Sequence, residues 1–312
     1  MLGQLKVAEI GLGCMPMSWG YNVEGADPVE SRETLHRAVE LGVTLFDTAD
    51  VYGPFTNEET IGQFLVADGY RDQVQIATKC GLVFKDKVSY TNNGRPEYVR
   101  QACEDSLSRL QTDHIDLYQL HRVDPEVPIE ETWGAFAELV QEGKVRHIGL
   151  SEVTIEHIAA AQKIHPVASV QSELSIWTSE NVDNGVLAYC TEQGIGFLAY
   201  SPLGRGYLTG ALSAADIKDG DFRSRNPRFT EDSLKANQAI VDGISKVAQR
   251  HNATSAQISL AWVLAQGPTV VPIPGTKRRK WLEQNVLASG LVLTSEDLDD
   301  IAALPRSVAP RY

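Results

Sequence analysis

Short apolar runs of strand length recur along the chain and alternate with longer stretches whose apolar positions repeat at helical spacing. That alternation predicts βα units feeding a parallel sheet. Eight runs stand out: VAEIGLG at 7–13, VTLFDTA at 43–49, VQIATK at 74–79, IDLYQLH at 115–121, VRHIGLS at 145–151, VASVQS at 167–172, IGFLAYS at 195–201 and TVVPIPG at 269–275. Helix signals fill the gaps. Asp27-Pro28 opens a helix that closes on Gly42 as its C-cap. A second covers 100–110, with apolar positions at Ala102, Leu107 and Leu110, and two more, 233–251 and 254–265, precede the eighth strand. The longest stretch without periodicity, 204–228, follows the seventh strand directly, and a long loop there is more often functional than idle. Eight units without a composition break predict an α/β fold in which one (β/α)8 TIM barrel of parallel strands spans 1–312 as a single domain. An open doubly wound sheet with two domains is the alternative.

Composition narrows the function classes. Lys and Arg number 28 against 41 Asp and Glu, a net charge of −13, so neither nucleic acid nor an anionic membrane is an expected partner. An anionic ligand would need a local basic cluster. With 43% hydrophobic positions the chain is expected to fold. Cys14, Cys80, Cys103 and Cys190 form no CxxC pair and no metal-ligand spacing, which points to reduced thiols in a cytoplasmic protein rather than a disulfide framework or a metal site. MLGQLKVAEIGLG lacks the pattern of an export signal, and no apolar stretch is long enough to span a membrane.

In such a barrel the chemistry gathers at the carboxyl ends of the strands, and here those ends are polar. Strand two ends in Asp47 and leads into Tyr52, strand three ends in Lys79, strand four in His121, strand five in Ser151, strand six in Gln171 and strand seven in Tyr200 and Ser201. Singly each has a bland alternative: Asp47 as a helix cap, Lys79 as a solvated rim charge, His121 as a core histidine. Together a carboxylate, a phenol, an ammonium and an imidazole on one mouth form an acid–base set. A phenol is a poor acid at neutral pH; a lysine ammonium beside it stabilises the phenolate and is expected to lower its pKa. Asp47 would keep that lysine charged, and His121 would orient a substrate oxygen or relay a proton. HExxH, GxSxG and the phosphate-cradling GxxxxGK[ST] are all absent from the sequence. A proton donor without a nucleophile suits hydride transfer from a nicotinamide to a carbonyl.

These residues bring the chain into resemblance with the aldo-keto reductases over essentially its whole length. GVTLFDTADVYGPFTNEETIG resembles the family's Asp-and-Tyr signature, IATKCG carries the lysine, and IDLYQLHRVD resembles the histidine segment. KVRHIGLSEV resembles the fifth-strand motif, GFLAYSPLGRGYLTG the seventh strand with its cofactor loop, and IPGTKRRKWLEQNV the carboxyl-terminal cofactor segment. The resemblance implies a tetrad of Asp47, Tyr52, Lys79 and His121 with Tyr52 as proton donor, and an NAD(P)H bound in extended form at the strand ends. It also implies that Ser151 and Gln171 contact the nicotinamide carboxamide, that Tyr200 stacks on the ring, and that Ser201, Leu203 and Gly206 line the pyrophosphate. Gly275, Thr276, Lys277 and Arg278 match the stretch that holds the adenosine phosphate, and Gln284 and Asn285 the adenine contacts. Two positions depart from the pattern: Glu152 stands where many members have Asn, and Trp281 where some place an arginine on the 2′-phosphate.

Lys277, Arg278, Arg279 and Lys280 form the densest basic run of this acidic chain. At a helix start they oppose the macrodipole unless an anion is present, so NADPH is the expected cofactor and NAD the alternative. Arg223, Arg225 and Arg228 would add phosphate contacts or stand as surface charges. The expected substrate is a small aldehyde or ketone, with Trp19, segment 80–95 and tail 307–312 lining the pocket; Trp19 reads equally as a core aromatic. Two other readings stand beside carbonyl reduction. One is an NAD(P)-dependent dehydrogenase oxidising a sugar or pyridoxal-like alcohol. The other is a nucleotide-sensing regulatory subunit resembling the β subunits of potassium channels, against which the complete tetrad counts. Oligomeric state is not legible in the sequence.

Overall fold

The structure is a computed structural model that describes residues 2, 4–21, 27–85 and 89–311. All eight predicted runs contribute strands to one parallel sheet: β1 (Leu12–Gly13), β2 (Leu45–Asp47), β3 (Gln75–Cys80), then, after an excursion, β6 (Ile115–Leu120), β7 (Val145–Ser151), β8 (Ser169–Glu173), β9 (Gly196–Tyr200) and β10 (Val270–Pro272). The excursion is an antiparallel hairpin of β4 (Leu82–Phe84) and β5 (Tyr90–Asn92) standing on the rim after β3. Backbone bonds from Gly11 to Pro272 (3.0 Å) and from Gly13 to Pro274 (3.2 Å) close the sheet into a barrel. The first and last strands are short at this seam because Pro272 and Pro274 accept but have no N–H to donate. Gly13 is required there: a Cβ would come within 2.9 Å of the Ile273 carbonyl.

Alternation along the strands sorts side chains in and out. Phe46, Ile76, Tyr118, Ile148, Val170 and Phe197 point outward into the core shared with the helices. Inside, Leu45, Ala77, Leu117, Leu198 and Val271 form an apolar floor over which Leu2 and Leu5 fold as a plug. Two residues further along their strands, Asp47, Lys79 and Gln119 occupy the next inward layer, so the barrel changes from apolar to polar in one step.

The helices return the chain as the periodicity predicts. They are α1 (Pro28–Glu40), α2 (Thr56–Ile61), α3 (Pro96–Leu110), α4 (Ile129–Gln141), α5 (Ile155–Gln162), α6 (Glu180–Asp183), α7 (Val186–Glu192), α8 (Glu231–Ala236), α9 (Gln238–Arg250), α10 (Ser255–Leu264), α11 (Arg279–Val286) and α12 (Ser295–Ala302). Asp27 caps α1 by accepting from the Val29 N–H, and Gly42 leaves it in left-handed backbone at φ 81°. α3 starts four residues earlier than its apolar positions indicate, because Pro96 is pre-set for a first helical position. The predicted helix 233–251 is two helices broken at Asn237, whose side chain bonds the Ser233 carbonyl and both backbone polar groups of Val308. The aperiodic stretch 204–228 consists of short 3-10 turns. All four cysteines are free and buried. Among the described residues no helix is long and apolar enough to cross a membrane.

Leu117 is 1% exposed in the floor layer, so Leu117→Ala should cost about 2–5 kcal/mol of unfolding free energy, measured by urea titration, with the far-UV spectrum unchanged.

Candidate active site

The polar layer is organised around Asp47. Its Oδ1 accepts from Lys79 Nζ at 2.6 Å, and its Oδ2 from Gln171 Nε2 at 2.7 Å and, more weakly, from Gln119 Nε2 at 3.5 Å. Lys79 is fully buried and also donates to the Thr48 carbonyl at 2.7 Å. Burial pulls the lysine toward losing its proton, but Asp47 and Tyr52 beside it together outweigh that and raise its pKa. Gln171, expected at the nicotinamide carboxamide, spends its NH2 group on Asp47 from across the barrel. Gln119, one layer up from Leu117, was not singled out by the sequence; inward alternation from Leu117 is the signal that finds it.

Tyr52 is brought to Lys79 by the turn after β2, where Thr48 bonds Asn57 at 2.6 Å and Asn57 bonds the Cys14 carbonyl at 2.9 Å. Lys79 Nζ lies 5.3 Å from the Tyr52 ring centroid. Trp19 stacks on that ring at 5.4 Å, and His121 meets its edge at 6.0 Å. Three strands and one loop thus converge on a single phenol. One expectation is corrected: burial raises the Tyr52 pKa above its ordinary value, and the Lys79 ammonium, the largest opposing influence, only limits the rise. Burial, then Arg122 and Lys79, push His121 well below its usual range, so its imidazole is neutral near pH 7. Its Nδ1 has no hydrogen-bond partner among the described residues.

Arg122, which the sequence reading passed over beside His121, is half-buried and donates to the His121 carbonyl at 2.6 Å and to Ser151 Oγ at 3.2 Å. It brings a second positive charge to bear on Tyr52.

The residues matched to the cofactor lie on the adjoining arc, at the ends of β7 to β10. Ser151 pairs in register with Gln171, and Glu173 with Tyr200. After β9 the backbone turns left-handed at Ser201 (φ 49°), Gly204, Arg205 and Gly206 (φ 96°). A Cβ on Gly206 would find only Arg223 Nη1 at 3.6 Å, so its constraint is conformational. Past β10, Gly275 packs on Pro16, and Thr276 Oγ1 accepts from the Arg278 N–H at 3.1 Å at the start of α11. Asn285 is buried, and Gln284, half-buried, accepts through its carbonyl from Gln257.

The basic run divides. Arg279 is paired with Glu30 at 2.8 Å and Glu33 at 3.6 Å, and Lys280 lies 4.6 Å over the exposed Trp281 ring. Arg278 is exposed and joins no ion pair among the described residues. Burial, then Arg278, draw the Lys277 ammonium below its ordinary pKa, and a bound anion would relieve the second of these. α11 has no acid in its first turn. Glu30 of α1 compensates its start from outside, accepting from the Arg279 N–H at 3.1 Å, and the exposed Arg278 just ahead of it is a cation that an anionic ligand could meet.

Two of the loop arginines are committed inside the protein. Arg223 pairs with Asp221 at 2.7 Å and donates to the Arg205 carbonyl, and Arg228 donates to Thr178 Oγ1 at 2.6 Å. Glu173, one residue past the predicted end of strand six, receives Arg205 at 3.0 Å and Thr178 at 3.0 Å. Arg311 grips Glu152 through two bonds, the shorter 2.5 Å, and its own carbonyl is held by Asn226 at 2.7 Å. Burial works against the charge of Glu152, yet Arg311 holds its carboxyl below the usual carboxylate range. Glu152 pays for this in backbone strain, at φ 52°. The tail is thereby strapped across the mouth. Trp19, Leu82, Phe84 and Tyr90 pack against the cluster of Ala49, Val51 and Tyr52; Asp86, Lys87, Val88 and Tyr312 of the pocket reading lie outside the described residues. Among the described residues no cluster of three metal-ligating side chains occurs.

Residues 9–306 match the model of the aldo/keto reductase family. A probable aldo-keto reductase from Glycine max is 43% identical over 299 residues, covering 95% of this chain and 85% of its own. Among solved structures, a glycerol dehydrogenase from Gluconobacter oxydans superposes with a TM-score of 0.85 at 29% identity, over 99% of this chain and 96% of that one. The holo form of an aldo-keto reductase from Bacillus halodurans gives a TM-score of 0.80 at 29% identity, over 100% and 97% of the two chains.

Because Lys79 is sealed in with one carboxylate, Asp47→Asn should cost about 3–5 kcal/mol in urea unfolding.

Proposed function

The chain belongs to the aldo-keto reductase family of NAD(P)H-dependent oxidoreductases, and from that premise we propose that it reduces aldehyde or ketone carbonyls to alcohols, with NADPH as hydride source and Tyr52 as general acid. The observation that carries this reading is the buried Lys79 ammonium, 2.6 Å from Asp47 and 5.3 Å from the Tyr52 ring centroid. The cofactor supplies a hydride to the carbonyl carbon when bound. Ser151, Gln171, Tyr200, Ser201, Leu203, Gly206 and the segment from Gly275 to Asn285 would hold it, with Lys277 and Arg278 at its adenosine phosphate. As charge builds on the carbonyl oxygen, the Tyr52 hydroxyl delivers its proton there, and the phenolate left behind is met by Lys79. Asp47 keeps Lys79 charged, Arg122 adds positive potential, and neutral His121 offers a ring N–H to the same oxygen. We read 1–312 as one barrel domain acting on a small molecule.

A second reading, alcohol oxidation with NAD, is favoured by the likeness to a glycerol dehydrogenase and by Trp281 in place of an arginine. Tryptophan-fluorescence titration separates the two. For the reductase, the Lys277→Ala, Arg278→Ala double variant loses roughly ten- to a hundredfold in NADPH affinity and little in NADH affinity. Tighter NADH binding that the variant leaves untouched supports oxidation.

Tyr52→Phe should keep cofactor affinity while turnover of a small aldehyde falls roughly 10²- to 10⁴-fold; an active variant refutes the assignment. In the native enzyme, ionising Tyr52 removes the acid and protonating His121 removes a neutral donor. With the first pKa raised and the second lowered, kcat/KM for reduction should be flat from below the ordinary histidine value of 6.5 through neutrality. It should fall only on the alkaline side of the ordinary tyrosine value of 10.

A further inference from the structure

Arg122 stands just past the end of β6, next to His121, and a single nitrogen does all its bonding. Nη1 donates to the His121 carbonyl at 2.6 Å and to Ser151 Oγ at 3.2 Å. Nε and Nη2, the lateral edge of the guanidinium, hold no hydrogen bond or ion pair among the described residues, and neither is sealed from solvent. That edge is a planar fork of two donors, the geometry that matches a carboxylate. Acids are not scarce in a chain of net charge −13, yet those around the mouth are spent elsewhere. Asp47 is held by Lys79 and Gln171, Glu152 by Arg311, Glu173 by Arg205 and Asp221 by Arg223. Asp124, two residues after Arg122, accepts from the backbone N–H groups of Gly94 and Glu126.

A second arginine repeats the pattern. The loop after β9 is pinned beside Trp19, where the Phe222 N–H donates to the Gly20 carbonyl at 2.9 Å. The 3-10 turn Phe222–Arg225 then brings the charge of Arg225 to bear on the Tyr90 phenol of the hairpin. Arg225 is exposed and also joins no ion pair among the described residues. Tyr90 meets the Trp19 ring edge-on at 6.1 Å, and Trp19 stacks on Tyr52. Unmatched positive charge thus acts on Tyr52 and His121 from Arg122, and on the aromatic wall beside them from Arg225.

We propose that the carbonyl substrate bears a carboxylate, received by the Nε–Nη2 fork of Arg122 and drawn in by Arg225. This rests on the oxidoreductase reading of the tetrad and narrows its substrate class to anionic carbonyl compounds. Arg122 adjoins His121 in the chain, so a carboxylate on its fork sets the carbonyl end near the two groups that act on it. The acidic surface repels anions at long range, and two uncompensated arginines reverse that field locally.

The test uses the full-length protein with saturating NADPH and two carboxylate aldehydes, 4-formylbenzoate and the shorter 4-oxobutanoate, each against its methyl ester. For at least one pair, kcat/KM should favour the acid roughly tenfold or more. That margin should shrink between roughly 0.05 and 0.5 M salt while the ester is little affected. Arg122→Gln should bring the acid-to-ester ratio close to one, Arg122→Lys should restore part of it, and Arg225→Gln should lower it severalfold. A merely structural role for Arg122 would lower acid and ester alike, leaving the ratio where it was. Ratios near one in the native enzyme for both pairs, or a ratio unmoved by Arg122→Gln, would overturn the proposal; one unmoved by Arg225→Gln removes that residue from it. Should neither the acids nor the esters be reduced, the reduction reading falls instead. Calorimetric binding of benzoate against benzamide then decides the anion site: it must favour benzoate about tenfold and lose that margin in Arg122→Gln, and equal binding refutes it.

Discussion

Everything at the mouth of this barrel depends on keeping one ammonium charged where no water reaches it. Lys79 is fully buried, and a charge in that position is costly unless it is paired and hydrogen-bonded. Asp47 provides the pairing at 2.6 Å, and the Thr48 carbonyl a second acceptor. Without Gln171, reaching across from β8, the second oxygen of Asp47 would keep only the long 3.5 Å bond from Gln119. The barrel's closure thus has a chemical purpose: only a closed sheet brings an amide from β8 onto a carboxylate of β2.

The same enclosure sets the behaviour of the other groups. Burial raises the Tyr52 pKa and Lys79 opposes the rise, two effects of opposite sign on one phenol. His121 is held neutral by the same lack of solvent, and by the very cations that assist Tyr52. In the proposed reduction no rearrangement of charge is needed before the carbonyl arrives, which is the sense in which such a site would be preorganised.

Much of this was legible in the chain because the periodicity that makes a strand also dictates which residues face inward. Asp47 and Lys79 follow Leu45 and Ala77 by two residues, so the positions that build the floor announce the layer above it. The eight runs and the rim location of the tetrad follow from that rule. Less legible was whatever depends on contacts between distant segments. The break at Asn237 comes from a bond to Val308, the role of Gln119 and Gln171 from a partner two and four strands away, and the shortness of β1 from prolines more than 250 residues later. The sign of the net shift on Tyr52 was likewise misjudged, because the sequence lists the charges near a group but not how much water is excluded from it.

The strap at Glu152 has a consequence for how this scaffold can vary. Asparagine is the residue that tolerates left-handed backbone best after glycine, and the chain has given up that ease for a carboxylate that clamps Arg311. Position 152 and the carboxyl-terminal tail therefore form one inheritable unit. Tails exchanged between relatives to alter substrate range would keep the backbone bonds to Asn226 and Asn237 but gain the Arg311 clamp only if the residue after the fifth-strand serine travelled with them.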